Sequence, residues 1–283
     1  MAKVYEALQR AEQERKRRAE GDSAAVASVD WEPGGAAAPV SVRARTPIWK
    51  RWITALRSRG GADSAADFNK RRFALLQPES NVAEQFRTLR GRIDALAAQR
   101  PLKTLAVTSP DAGDGKSTAA LNLAIVTSMS VGRRTLLIDC DLRRPQVHKA
   151  LGVEPRAGLA EVLLDQASLE DAIVKVDGLN LEVLAVRAQP PNPSELLASN
   201  RMVQLLDEVA GRYDRVILDT PATLGMPDAK TVSDLCDGLI LVVRQHVTPR
   251  EDITNALDIL ERRKLLGLIL NDADASRSGY GYY

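Results

Sequence analysis

Short apolar runs alternate with longer segments of helical periodicity over most of this chain. Six runs have the length of a buried strand, at residues 105–108, 135–138, 181–184, 215–218, 238–243 and 266–270. Between them lie helix-length segments whose apolar residues recur every three or four positions, such as 201–210 and 250–262. Because strands separated by helices join through right-handed crossovers, the pattern predicts an α/β fold with a mostly parallel sheet and helices on both faces.

The region before the first strand divides into three parts. Residues 80–99 carry one apolar stripe and predict a helix, in which the stripe comprises Val82, Phe86, Leu89, Ile93 and Leu96. Residues 1–20 predict a short amphipathic helix, and 21–77 have the Gly, Ala, Ser and Pro content of a flexible linker. We therefore expect a partly disordered N-terminal arm, a main domain over 78–275 and a tyrosine-containing tail over 276–283.

Charge is distributed unevenly along the 283 residues. The net charge is +2, yet residues 1–78 hold 15 Lys or Arg against 9 Asp or Glu. The linker also contains a basic segment at 48–53 with Trp49 and Trp52, which suits either an anionic lipid surface or partner, or packing against the main domain. With neither a secretory signal nor a membrane-spanning run, we expect a cytoplasmic protein with at most peripheral membrane contact.

The segment after the first strand has the composition of a phosphate-binding loop. Gly113 and Gly115 allow consecutive backbone N–H groups to face a phosphate, and a helix begins beside them. Lys116 is placed to reach the β- and γ-phosphates, and Ser117 offers a hydroxyl to Mg²⁺. Pro110 replaces the first glycine of the usual pattern. The predicted nucleotide-binding residues are Gly113, Asp114, Gly115, Lys116, Ser117 and Thr118.

Three acids follow two other predicted strands. Asp139 and Asp141 come after the second strand and Asp219 after the strand at 215–218. Because parallel strands end at a common edge, we expect these acids to converge on the phosphate loop, with Ser117, Asp141 and Asp219 organising Mg²⁺ and Asp139 orienting or deprotonating an acceptor hydroxyl. Asp139 capping the next segment is an alternative. The pair Arg143-Arg144 either steadies transferred phosphate or covers the acidic pocket.

These motifs resemble the Walker A, A′ and B elements of the bacterial tyrosine kinases, autokinases that accompany capsule and exopolysaccharide assembly. The resemblance covers residues 78–283 and includes segments outside the nucleotide loops, namely 158–164, 190–199 and 280–283. It implies a P-loop kinase domain, ATP with Mg²⁺, and catalytic roles for Lys116, Asp139, Asp141 and Asp219. It also implies that Asn271, after the last strand, contacts adenine.

The resemblance further implies how the chain assembles. Glu84, Arg87 and Arg90 match the family's oligomerisation motif, and at 100° per residue they fan across a helix face opposite the apolar stripe. A ring-shaped homo-oligomer is therefore expected, with a separate membrane adaptor of the polysaccharide chain-length or export type and no nucleic acid. The expected phosphoacceptors, modified between subunits, are Tyr280, Tyr282 and Tyr283.

Two other functions share the predicted fold. One is a partitioning or septum-positioning ATPase switch, whose members carry an extra lysine near the start of the phosphate loop. This chain has Asp111 there, and an acid does not stabilise a partner subunit's phosphate charge. The other is a catalytically silent scaffold that binds ATP only to control assembly, which the sequence leaves open.

Overall fold

The computed structural model of this chain describes residues 77–273. The predicted N-terminal helix, the linker up to residue 76, and the tail with its three tyrosines lie outside the described residues. No helix within 77–273 is both long enough and apolar enough to cross a bilayer.

Helices and strands alternate along the described chain. The helices are α1 (Asn81–Ala97), α2 (Lys116–Ser128), α3 (Val147–Leu151), α4 (Leu159–Leu163), α5 (Leu169–Ala172), α6 (Pro193–Leu197), α7 (Asn200–Arg212), α8 (Asp228–Leu235) and α9 (Arg250–Ile259), with a 3₁₀ turn at Arg262–Lys264. The strands are β1 (Thr104–Thr108), β2 (Thr135–Asp139), β3 (Ile173–Lys175), β4 (Leu181–Leu184), β5 (Arg215–Asp219), β6 (Gly238–Arg244) and β7 (Leu265–Asn271).

The strands form one seven-stranded sheet in the order β3-β4-β2-β5-β1-β6-β7. All neighbours pair in parallel except β3, which runs antiparallel to β4 at one edge. The mostly parallel sheet predicted from the sequence is thus confirmed, and each of the six predicted strands is present to within one residue at either end. The three-residue β3 was not predicted, since so short a run shows no alternation.

The core lies on both faces of the sheet. Along β5, Val216 and Leu218 pack into one hydrophobic cluster with helices α4 to α9, whereas Ile217 points into a second cluster with α1, α2 and α3. Helix α2 is buried around almost its whole circumference, because it lies between the sheet and α1. The phosphate loop at its N-terminus is therefore attached to one of the most deeply packed elements.

Ser80 caps the N-terminus of α1, and its side chain accepts a hydrogen bond from Ala83 N at 3.2 Å. The expectation that the motif charges all face away from the core is wrong for Arg90. Its guanidinium donates to Val126 O in α2 at 2.6 Å, because α2 packs beside this part of α1. Glu84 is exposed, and Arg87 pairs with it at 2.8 Å while also donating to Pro78 O.

Gly158 sits where α4 approaches the end of β4. Its backbone is extended, with φ −137° and ψ −171°, so conformation alone does not require glycine. The lack of space does require glycine, because a Cβ there would lie 2.5 Å from Ala185 O and 2.6 Å from Arg187 N, both backbone atoms. The close approach lets Leu159 N donate to Ala185 O at 2.8 Å.

We expect Gly158→Ala to lower the free energy of unfolding by about 1–3 kcal/mol, because backbone atoms must shift to admit the methyl group. Gly91→Ala is the matched control: it lies inside α1 with nothing within 4 Å of the added Cβ, and it should raise stability by about 0.5–1 kcal/mol. Urea unfolding of both variants checks the pair. A Gly158→Ala protein as stable as the wild type would contradict the close approach.

Candidate active site

The loop between β1 and α2 adopts the backbone that its glycines predict. Gly113 and Gly115 have φ values of 99° and 102°, in the left-handed region that other residues avoid. Gly115 is the residue before α2, so the helix begins at Lys116 with its free N–H groups at the loop. At Gly115 a side chain would also overlap the amide of Asn271.

The buried Asp114 stabilises this loop through its hydrogen bonds. Its Oδ1 accepts from the Thr248 hydroxyl at 2.8 Å, and its Oδ2 accepts from Asp111 N at 3.1 Å. Its carbonyl accepts from Asn271 Nδ2 at 2.9 Å. Its carboxylate is thus committed within the protein, which leaves its backbone as the part able to serve a nucleotide. Thr248 was missed by sequence reasoning, since it lies in the turn after β6 without any local motif.

Lys116 brings the predicted acids together. Its Nζ lies 2.8 Å from Asp141 Oδ2 and 3.9 Å from Asp219 Oδ1. The Ser117 hydroxyl is 3.4 Å from the same nitrogen. Burial lowers the pKa of Lys116, but the charges of Asp219 and Asp141 outweigh it, so the pKa is raised and the side chain stays protonated.

Asp219 ends β5 and stands opposite Asp139, the last residue of β2, in the parallel register. It is fully buried, and among the described residues neither carboxylate oxygen has a hydrogen-bond partner of normal geometry. Burial is the main cause that raises the pKa of Asp219, while the charge of Lys116 and the nearby Ser117 hydroxyl act in the opposite direction. An orphaned, buried carboxylate of this kind is poised to receive a ligand.

Asp139 has a different environment. Its Oδ2 accepts from the backbone of Gln146 and Val147, both at 3.1 Å, and its Oδ1 from Asp141 N at 3.1 Å. It is fully buried, and burial together with the charge of Asp219 raises its pKa. Its Oδ2 is directed at the two amides that open α3 and its Oδ1 at Asp141 N in the turn after β2, which agrees with the capping alternative, while the contact with an acceptor hydroxyl stays a prediction.

The other predicted residues fall into three groups. Ser117 and Thr118 lie half-buried in the first turn of α2, and the Ser117 hydroxyl is close to Lys116. The motif residues of α1 make their described contacts with Pro78 and α2 and not with the acids. The three tyrosines lie outside the described residues. Within 77–273 no group of three or more His, Cys, Asp or Glu is arranged to hold a metal ion alone.

Comparison with known proteins agrees with this geometry. Residues 102–261 match the model of a family described as an AAA domain. The tyrosine-protein kinase YwqD of Bacillus subtilis is 41% identical over 213 residues, covering 74% of this chain and 90% of that one. The chain belongs to the bacterial tyrosine kinases. As a member of these P-loop proteins it binds nucleotide.

Two further relatives of this kinase family are informative. The kinase domain of the Escherichia coli tyrosine kinase ETK superposes with a TM-score of 0.64 at 31% identity, covering 74% of this chain and 84% of that chain. The succinoglycan biosynthesis transport protein ExoP of Rhizobium meliloti is 34% identical over 207 residues, which are 71% of this chain but 26% of ExoP.

We expect Asp219→Asn to stabilise this kinase in the absence of nucleotide by about 1 kcal/mol or more at neutral pH, because it removes a buried charge that lacks hydrogen bonds. The folded-state pKa of Asp219 is raised above its ordinary 3.8, so the ionised group opposes folding increasingly as the pH rises above that value. The gain should therefore vanish at acidic pH. Thermal unfolding between acidic and neutral pH measures it.

Asp139→Asn serves as the matched control. An amide at this position keeps one good acceptor for three N–H donors, so this variant should lose stability at neutral pH although it also replaces a buried acid. If Asp219→Asn were destabilising to the same extent as Asp139→Asn, the carboxylate of Asp219 would have to be satisfied in the folded protein, against the geometry described above.

Proposed function

We propose that this bacterial tyrosine kinase transfers the γ-phosphoryl group of ATP to C-terminal tyrosines of a neighbouring subunit. The observation that carries the proposal is the position of Lys116, which directly follows the phosphate loop and whose ammonium contacts Asp141 and approaches Asp219. Phosphoryl transfer needs chiefly positioning and charge stabilisation, and this arrangement places a fixed cation and acids around one point.

The phosphate loop binds the substrate ATP. The backbone N–H groups around Gly113 and Gly115, together with the start of α2, hold the phosphates. Lys116 then exchanges part of its contact with Asp141 for the phosphates and neutralises the charge that develops on the transferred group. Asn271 lies against the loop at Asp114, in keeping with a place at the nucleotide's edge.

The residues present also fit a magnesium ion. The orphaned oxygens of Asp219, the Ser117 hydroxyl and the carboxylate of Asp141 are hard oxygen donors in one place, and Mg²⁺ needs few protein ligands when phosphates supply others. The metal, when bound, would neutralise phosphate charge. We assign Ser117, Asp141 and Asp219 to hold it, directly or through water.

The acceptor hydroxyl needs a group that takes its proton. We propose Asp141 for this step because it is slightly exposed at 7% whereas Asp139 and Asp219 are fully buried, and it would then hold the metal through water and not directly. The Lys116 ammonium lies 2.8 Å from this carboxylate. Asp139 contributes by fixing the backbone of the turn between β2 and α3.

Transfer between subunits is tested with two variants of the full chain. Lys116→Met keeps the tail but loses the cation, and a variant with Phe at positions 280, 282 and 283 keeps the site but loses the acceptors. Each alone should give no tail phosphotyrosine with ATP and Mg²⁺, whereas their mixture should label the Lys116→Met chain, as read by blotting and mass spectrometry.

The same assay separates the alternatives. If the wild type became phosphorylated on its tail but the mixture of the two variants did not, the transfer would take place within one chain. Nucleotide binding without any label in the wild type would leave a silent scaffold. A Lys116→Met chain that labels itself as well as the wild type does would end the proposal, because the cation that carries it would be dispensable.

We further propose that the kinase assembles into a ring through α1 and acts with a separate membrane adaptor in polysaccharide synthesis or export. The name of the Rhizobium meliloti relative, a succinoglycan biosynthesis transport protein, supports the pathway. Glu84 and Arg87 are the members of the motif best able to meet another subunit, since Arg90 is bonded to α2. The same proposal includes a kinase domain over 78–275 and a tail over 276–283. It also includes a peripheral location at the inner face of the membrane, which the chain reaches through residues 1–77.

The two ends of this motif should respond differently to substitution. Glu84→Lys reverses an exposed charge and should dissociate the oligomer, while loss of the exposed pair with Arg87 lowers subunit stability by only about 0.5 kcal/mol. Arg90→Ala removes a charged donor to Val126 O and should lower subunit stability by about 1 kcal/mol as well. Light scattering and urea unfolding measure the two effects. Equal stability of both variants would contradict the inward role of Arg90.

A further inference from the structure

A second hydrogen-bonded cluster lies in and around the turn that follows β2. Arg143 donates from Nε to Asp228 Oδ2 at 3.0 Å and from Nη2 to Ser194 Oγ at 2.9 Å. Ser194 Oγ in turn donates to Asp228 Oδ1 at 2.5 Å. The three side chains therefore form a closed ring in which each contacts the other two, and we call this set the Arg143 ring.

The Arg143 ring joins three segments that are far apart in the sequence. Arg143 follows β2, Ser194 lies in α6, and Asp228 is the first residue of α8. Asp228 is only 1% exposed, so its charge depends on the guanidinium and the hydroxyl for compensation. Removing one partner from such a buried pair leaves an uncompensated charge. The ring is thus a fixed link between α6, α8 and the turn after β2.

The ring leads directly to Asp141. The carbonyl of Arg143 accepts from Gln189 Nε2 at 2.8 Å, so both the side chain and the backbone of Arg143 are held. The next backbone N–H, of Arg144, donates to Asp141 Oδ1 at 2.9 Å. The other oxygen of Asp141 accepts from Lys116. Fixing Arg143 therefore fixes the turn that orients the carboxylate of Asp141.

We propose that Arg143, Ser194 and Asp228 are positioning residues that hold Asp141 in the orientation required by Lys116 and by Mg²⁺. This inference rests on the proposed function, in which Asp141 helps to hold the metal. It also gives one member of the basic pair a further use, because Nε and Nη2 of Arg143 donate to Asp228 and Ser194.

A structural brace and a positioning residue differ in what their loss changes. Loss of a brace lowers stability without a selective effect on the metal. Loss of the orientation of Asp141 should weaken the contribution of Mg²⁺ to nucleotide binding, while the phosphate loop itself, formed by other residues, keeps its affinity for metal-free nucleotide. Partners of metal ligands commonly affect metal affinity by about 10–100-fold.

The experiment uses full-length Ser194→Ala and Arg143→Lys proteins. Lysine keeps the charge of Arg143 but lacks the fork that bonds two partners at once. A fluorescent ADP analogue is titrated at increasing MgCl₂ and in EDTA. We expect the Mg²⁺ concentration for half-maximal enhancement of binding to rise by about 10-fold or more in both variants, while the affinity in EDTA changes far less.

Ser168→Ala is the matched control. Ser168 also donates to an aspartate, Asp171 at 2.7 Å, but this bond lies at the exposed start of α5 and outside the ring. Its Mg²⁺ dependence should equal that of the wild type. Should Ser194→Ala fail to show a cooperative thermal transition, Arg143→Lys decides the test, since it preserves the charge beside Asp228.

Asp141→Asn separates this inference from the function on which it rests. If Asp141→Asn leaves the Mg²⁺ dependence unchanged, the metal role proposed for Asp141 is wrong. If Asp141→Asn removes the dependence while Ser194→Ala and Arg143→Lys match the wild type, the positioning inference alone is wrong. In the Asp141→Asn background, adding Ser194→Ala should cause no further loss. A full additional loss would show that the ring does not act through Asp141.

Discussion

The contact between Lys116 and two carboxylates joins the phosphate loop to the sheet. Lys116 begins α2, Asp219 ends β5, and Asp141 follows β2, so one ammonium group connects the loop to the ends of two neighbouring strands. Asp139 lies close to them, and burial together with the repulsion among these acids raises the pKa of both Asp139 and Asp219. At the proposed magnesium site a divalent cation would supply further positive charge, and the phosphates of a nucleotide would lie beside both the metal and Lys116.

The same arrangement opposes the stability of the nucleotide-free chain. Asp219 is fully buried with neither oxygen hydrogen-bonded among the described residues, whereas Asp139 obtains three amide donors. Asp139 and Asp219, which are opposite each other in the strand register, thus have different roles. Asp139 stabilises a turn, and Asp219 remains available to a ligand. Because a ligand that satisfies Asp219 binds only the folded state, nucleotide with Mg²⁺ should add to folding stability through linkage.

Sequence reasoning succeeded where information is local and failed where it is not. The parallel strands were found because each is a continuous apolar run, and the loop glycines because their backbone angles demand them. Helical periodicity predicted the angular position of Arg90 around α1, but it could not predict that α2 packs there and that Val126 O accepts a hydrogen bond from Arg90. Contacts such as Thr248 with Asp114 or Arg143 with Asp228 join residues 134 and 85 positions apart, and no local pattern encodes them.

The end of β7 limits how the tyrosine tail can reach another subunit. Asn271 is bonded to Asp114 of the phosphate loop, and Asp272 pairs with Arg244 at 2.7 Å, so the tail begins from a fixed point beside its own nucleotide site. An extended chain covers at most about 3.5 Å per residue, which gives Tyr280 a reach of roughly 25 Å from residue 273 and Tyr283 roughly 35 Å. A neighbouring site within the shorter distance can use all three tyrosines, whereas one beyond it selects Tyr282 and Tyr283. If the subunits associate through α1 as we propose, their spacing would determine which of the tail tyrosines can act as substrates.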